Sequence, residues 1–327
     1  MNKSSRNKTI STSIDEGHEY LQRCIEVNKA VSFEQIDNKT ILGNTFDVLH
    51  YLPIECVDLL VVDPPYNLEK MYGSVKFSKM GKADYKKFTY EWLSLVSPLL
   101  KVTGSIYVCC DWESSLIIGE TLQDFFTVRN RITWQREKGR GASRNWKNNM
   151  EDIWFATKSD DYTFNLEDVM IRRKVVAPYK DNGQPKDWFE SSGVKYRDTC
   201  PSNFWDDITV PFWSMPENTA HPVQKPEKLI AKLILASSNK GDVVLDPFLG
   251  SGTTSVVAKK LGRHYIGIEK ESQYCIWTEQ RLKLADKDKK IQGYEDGIFW
   301  ERHSTPSESK IQGDVQMHSM RQVHKFF

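Results

Sequence analysis

Apolar residues group into short runs separated by stretches of helical spacing. Val57, Leu59, Leu60, Val61 and Val62 form one run, interrupted only by Asp58. Its length and β-branching predict a strand buried on both faces. Upstream, Thr40-Ile41-Leu42 reads as a strand before a Gly43-Asn44 turn and a helix reaching Leu49. Downstream come an amphipathic helix over residues 84–100, a turn at Gly104 and a strand over 105–109. Residues 131–134 and 153–156 read as further strands near a sheet edge, flanking a basic loop. Regular spacing fails over 160–219, which is rich in Trp, Pro, Asn and Asp. It returns with a helix from Lys225 through Ser238, a stop at Gly241, a strand over 243–246 and a glycine-bearing turn. A helix over 253–261 and a strand over 265–269 follow. Strand–helix alternation with continuous apolar strands predicts an α/β fold, a mostly parallel sheet covered on both faces.

The chain ends read differently. Residues 16–30 place Tyr20, Leu21, Cys24, Ile25 and Val27 at helical spacing, which predicts an appended helix within a segment 1–38. The stretch 285–327 is charged and Ser-rich and is expected to be a partly disordered tail. Between them lie a half over 39–159, an insert over 160–219, too long for an idle loop, and a second half over 220–284.

Composition narrows the picture. No apolar run in the 327 residues approaches the roughly 18 to 20 that a membrane span needs. The polar start lacks a secretory signal's apolar segment, so a cytoplasmic location is expected. The six cysteines show no paired C-x-x-C spacing, which predicts free thiols and no metal. Net charge is only +1, so affinity for nucleic acid would need a local patch. One lies between Arg129 and Lys147, where Arg136, Lys138, Arg140, Arg144 and Lys147 stand near Trp134 and Trp146. That mixture suits phosphate contact and base stacking.

Two motifs carry chemistry. In Asp246-Pro247-Phe248-Leu249-Gly250-Ser251-Gly252-Thr253-Thr254 a strand ends at an acid, and two glycines hand the chain to a helix. This suits a nucleotide-type ligand, and Glu269 at the tip of the next strand can take ribose hydroxyls. Neither G-x-G-x-x-G nor G-x-x-x-x-G-K-[ST] is present, which weighs against pyrophosphate and triphosphate ligands. The second motif, Asp63-Pro64-Pro65-Tyr66, directly follows the run ending at Val62. Paired prolines fix an extended loop at the sheet's carboxyl edge, where open α/β sheets bind ligands. It offers a carboxylate, a carbonyl and an aromatic face. Hydrogen bonds from both protons of a base's exocyclic amine to Asp63 and the Pro64 carbonyl would aim its lone pair at a methyl donor. Tyr66 would stack on a base flipped from the duplex.

At these residues the sequence resembles the circularly permuted, beta-type, amino-directed DNA methyltransferases of bacterial restriction-modification systems and solitary methylases. The resemblance rests on Asp63 to Tyr66, on His221-Pro222-Val223-Gln224-Lys225-Pro226 and on Asp246 to Thr254, in that order, and covers about residues 39–284. It implies a Rossmann-like doubly wound fold opened between its second and third strands, with 160–219 as a target-recognition insert. It implies S-adenosylmethionine as methyl donor, held by Asp246, Phe248, Gly250, Ser251, Gly252, Thr253 and Glu269. Lys225 would sit at the cofactor's methionine end. Asn44 stands where the family usually has Asp, and can still accept from the cofactor's adenine amine; Val223 stands where Thr is usual. The resemblance further implies duplex DNA as partner, a restriction endonuclease of the same site, homodimer formation, and a bacterial or phage cytoplasm.

Asp63 favours adenine N6 as target, since the cytosine-N4 enzymes more often begin this motif with Ser. The permuted order counts against a protein or RNA amine methyltransferase. A nonenzymatic DNA-binding module, using the basic stretch and the insert, would have no need of Asp63 or Gly250.

Overall fold

The computed structural model describes residues 4–72, 75–136, 143–191 and 193–302. The central sheet contains β1 (Lys39–Leu42), β2 (Val57–Val62), β3 (Leu100–Cys110), β4 (Thr127–Gln135), β5 (Met150–Thr157), β6 (Phe204–Trp205), β7 (Val243–Asp246) and β8 (His264–Glu269). Their order is β1-β8-β7-β2-β3-β5-β4-β6. Pairing is parallel from β1 to β3, antiparallel on both sides of β5, and parallel again from β4 to β6. The adjacent strands β7 and β2 thus come from distant parts of the sequence, as a permuted Rossmann-like sheet requires.

Alternate residues of β2 serve two cores. Leu59 and Val61 pack on one face with Leu229, Leu233 and Ile234 of α3 (Glu227–Ser237) and Val256 and Val257 of α4 (Thr253–Lys260). Leu60 and Val62 pack on the other with Trp92, Leu93 and Val96 of α1 (Lys82–Val96) and Ile118 and Leu122 of α2 (Trp112–Leu122). A strand buried on both faces has no polar side to write into the sequence, hence its continuous run. The helix α5 (Ser272–Ala285) follows β8. Asp111 caps α2, its Oδ1 accepting from the Ser114 N–H at 2.9 Å.

Two expectations need correction. The segment over 16–30 is helical only at His18–Leu21. Beyond it the chain runs beside the sheet: the Ile25 N–H donates to Thr40 O at 3.0 Å and the Leu42 N–H to Ile25 O at 2.9 Å. The backbone bonds offered by the open edge of β1 outweigh the helical spacing of a few apolar residues. Gly104 lies inside β3, because the register jumps from Val57↔Leu100 to Leu59↔Ser105 and the surplus residues bulge out. Of the tail, residues 285–302 are described, and the remainder lies outside the described residues. Tyr294–Glu295 and Ile298–Trp300 join Ile171–Lys174, Phe189–Ser191 and Val194–Thr199 of the insert in a second, five-stranded sheet. Phe299 is fully buried there, so apolar burial fixes a stretch whose overall composition is polar.

Candidate active site

The carboxyl ends of β2, β7 and β8 open onto a cavity of about 200 Å³ that both motifs line. On one side β7 delivers Asp246, which is buried: its Oδ1 accepts from the Phe248 N–H at 3.0 Å and its Oδ2 from the Thr254 hydroxyl at 2.6 Å. Burial pushes this carboxyl up to about 7, against the pull of those hydrogen bonds. Gly250 and Gly252 take φ of +57° and +81°, so the turn can close onto α4 without the left-handed strain of a side chain. Ser251 O accepts from Arg281 Nη1 at 2.8 Å, and the Thr253 hydroxyl donates to Lys225 O at 3.1 Å, tying this turn to the segment before α3.

Glu269, at the tip of β8, accepts from the Gly250 N–H at 2.8 Å and the Glu271 N–H at 2.9 Å. Burial raises it to about 7 despite those donors. A ligand bringing hydroxyl donors would supply what burial withholds, so the site suits a ribose. Phe248 meets Phe46 and Trp92 edge-on, at centroid distances of 6.5 and 6.2 Å, making an apolar wall. Asn44 is exposed at the rim, where its Oδ1 accepts from the Phe46 N–H at 3.2 Å and caps a short helix. Acid, apolar wall and backbone turn fit an adenosine-bearing cofactor.

On the other side Asp63 leaves β2 directly. Its Oδ1 accepts from the Tyr66 hydroxyl at 2.9 Å and its Oδ2 from Lys225 Nζ at 2.7 Å. Lys225, expected at the cofactor's methionine end, therefore has its ammonium at the centre of the second motif. It lies 3.0 Å from the Tyr66 hydroxyl and 3.4 Å from Glu151 Oε2. Burial opposes the ammonium, but Asp63 and Glu151 together outweigh it and hold Lys225 above the ordinary lysine value. Burial, with Asp63 and Glu151 adding, pushes the Tyr66 phenol well up, so its hydroxyl keeps its proton. The loop is braced from below by the Tyr85 hydroxyl, which donates to Pro65 O at 3.0 Å.

Glu151 escaped the sequence reading. It is one of two adjacent acids, Glu151 and Asp152, in a strand outside any motif, and only the antiparallel run of β5 brings its first residues to the carboxyl edge of β3. Its Oε1 accepts from Arg136 Nη1 at 2.6 Å. Arg136, expected at DNA, thus has its Nη1 on a buried carboxylate. Arg129 contacts Thr157, Ser159 and Asp160. Trp134 is core rather than a stacking platform: it is 2% exposed and its indole N–H donates to Ile208 O at 3.4 Å. Arg144, Lys147 and Trp146, the last 92% exposed, do face solvent. Lys138 and Arg140 lie outside the described residues. All six cysteines are free. Among the described residues no acidic, His and Cys cluster could hold a metal, and no helix is long and apolar enough to cross a membrane.

The profile of the family described as DNA methylase matches residues 57–280. The chain is 35% identical over 250 residues to the type II methyltransferase M.HpaI of Haemophilus parainfluenzae, covering 76% of this chain and 74% of that one. It is also 35% identical over 256 residues to the DNA adenine methyltransferase YhdJ of Escherichia coli K12, covering 76% and 83%. Among solved structures, the PvuII cytosine-N4-specific DNA methyltransferase superimposes with a TM-score of 0.55 at 16% identity, covering 80% of this chain and 94% of that one. The complex of M1.HpyAVI with SAM gives 0.51 at 24%, covering 74% and 98%. These two share the fold. With a sheet opened between its second and third strands and both motifs on one cavity, the chain belongs to the N6/N4 DNA methylase family.

Proposed function

We propose that the enzyme transfers a methyl group from S-adenosylmethionine to adenine N6 in duplex DNA. The observation that carries this reading is the shared cavity, in which the Asp63 loop faces the Phe248 turn and Glu269. Glu269 would hold the cofactor's ribose hydroxyls, Phe248 its adenine ring and Asn44 the ring's amine, within the turn made by Asp246, Gly250, Ser251, Gly252 and Thr253. When bound, the cofactor supplies a methyl group already activated on a sulfonium. The chain's own residues orient the acceptor. Asp63 and the Pro64 carbonyl accept the two amine hydrogens, which turns the nitrogen lone pair out of the base plane. Tyr66 offers its face to the flipped base, and Pro65 keeps the loop extended. The nitrogen becomes acidic as it is alkylated, so its proton leaves towards Asp63 without a strong base or a metal.

Adenine is favoured by the acid at position 63 and by the relative named as an adenine methyltransferase. Arg144, Lys147 and Trp146 of the basic loop, with Lys138 and Arg140 in its sequence, and the insert over 160–219 would grip the duplex. The relative named as a type II enzyme favours a place beside a restriction endonuclease. The test is to incubate the protein with unmethylated bacterial DNA and methyl-labelled S-adenosylmethionine, digest to nucleosides and identify the labelled one. N6-methyldeoxyadenosine is expected. N4-methyldeoxycytidine would move the target and keep the chemistry, and an unlabelled digest would refute the reading.

A further inference from the structure

We infer that Glu151 and Arg136 form a positioning pair for the methyl transfer, and that Arg136 serves the reaction centre rather than the DNA backbone. The inference rests on the methyltransferase reading above.

Asp63 receives two donors, the Tyr66 hydroxyl and the Lys225 ammonium. Both also lie within reach of Glu151, at 3.2 and 3.4 Å. The ammonium therefore bridges two carboxylates, and the single phenol proton lies between them, nearer Asp63. Glu151 is 5% exposed, so water cannot support its charge, and Arg136 at 2.6 Å takes its other oxygen. The result is a continuous chain of contacts from Arg136 through Glu151 to Tyr66 and Lys225, and from them to Asp63. Two acidic side chains, Asp63 and Glu151, face two basic ones, Lys225 and Arg136.

Asp63 must keep acceptor capacity for an amine hydrogen while an ammonium sits against it. Glu151 makes this workable by drawing part of the Lys225 charge towards itself. Without the Glu151 carboxylate, Asp63 is the one carboxylate left to Lys225, which then competes more strongly for the lone pairs that the amine needs and drains the negative charge that stabilises the alkylating nitrogen. Tyr66 also loses one of its three polar partners and keeps Asp63 and Lys225. Arg136 is the clamp behind this arrangement. A guanidinium engaged with a buried carboxylate is not free to neutralise a phosphate.

The test measures single-turnover label transfer to saturating unmethylated bacterial DNA at saturating S-adenosylmethionine, for the wild type, Glu151→Gln and Arg136→Gln. Calorimetry gives the cofactor Kd, and the salt dependence of binding to the same DNA is measured. Each substitution is expected to lower the transfer rate constant by about 10- to 100-fold, the scale of a misplaced reacting group. The cofactor Kd should stay within about twofold and the salt slope should not change. The double variant should lose little more than either single one, because the pair acts as a unit. Wild-type transfer rates in Glu151→Gln would overturn the proposal. So would an Arg136→Gln enzyme whose salt slope falls by about 0.9 while its rate at saturation holds, the signature of a lost phosphate contact. Should Glu151→Gln fail to fold, Glu151→Asp keeps the charge but withdraws it, and a loss of about tenfold is expected; full rate there overturns the proposal equally. A wild type that labels no nucleoside refutes the methyltransferase reading instead.

Discussion

Replacing Gly252 by alanine should destabilise the protein through two separable terms. The residue sits at φ +81° on the entry to α4, a conformation that costs an L side chain about 1–2 kcal/mol. The added Cβ would also fall 2.5 Å from Thr278 Cγ2 and 2.6 Å from its Oγ1. Thr278 is fully buried on α5, so neither helix yields freely, and such overpacking costs about 1–3 kcal/mol. The total, about 2–5 kcal/mol, is a large share of a typical domain's 5–15 kcal/mol. Urea unfolding of wild type, Gly252→Ala, Thr278→Ala and the double variant separates the terms. Thr278→Ala removes the two nearest atoms but keeps Cβ at 2.8 Å, so in the Gly252→Ala background it should recover about 1 kcal/mol, while that contact and the backbone strain stay. A Gly252→Ala protein within about 0.5 kcal/mol of wild type, or strictly additive losses in the double variant, would refute the reasoning.

Asp63→Ala should abolish methyl transfer while leaving the cofactor Kd within about threefold, since Asp63 faces the acceptor; a variant keeping half its rate sinks the mechanism. Glu269, raised from 4.5 to about 7, should stabilise the cofactor-free protein fully below pH 4.5 and lose that contribution as pH rises to about 7, because the folded state then holds the extra proton. The stability difference between wild type and Glu269→Gln should therefore fall across that window in denaturant titrations and stay flat above it; a difference that does not vary with pH removes the argument. Trp134→Ala should cost about 3–5 kcal/mol, whereas Trp146→Ala should leave stability within about 0.5 kcal/mol and weaken DNA binding. Equal thermal shifts in the two variants would contradict their opposite burial.

The parts that could be read from sequence were those whose burial is symmetric or whose chemistry is local. β2 and β7 announce themselves because both faces are covered, and the residues 63–66 and 246–254 carry their conformation in prolines and glycines. What escaped depended on partners distant in sequence. Tyr20, Leu21, Cys24, Ile25 and Val27 fit a helix when taken alone, and only the unpaired edge of β1 makes the extended path better. Trp134 and Trp146 looked alike in a basic stretch, yet one lies under Ile208 and the other in solvent. Glu151 and Arg136 meet across the β4–β5 hairpin, so nothing in either local segment signals their link to Asp63 and Lys225.

On the proposal that the insert grips the DNA, the second sheet sets what would have to move with it when the recognised sequence is changed. Ile171–Lys174 is flanked by Val194–Thr199 on one side and by Ile298–Trp300 on the other, so strands some hundred residues apart in sequence share one register. Trp300 meets Tyr196 edge-on at 5.4 Å. A graft of residues 160–219 from a relative would leave Phe299 and Trp300 facing foreign neighbours. On that proposal the exchangeable cassette is a discontinuous one, the insert together with residues 291–302, and a chimaera that carries both pieces keeps its joint intact.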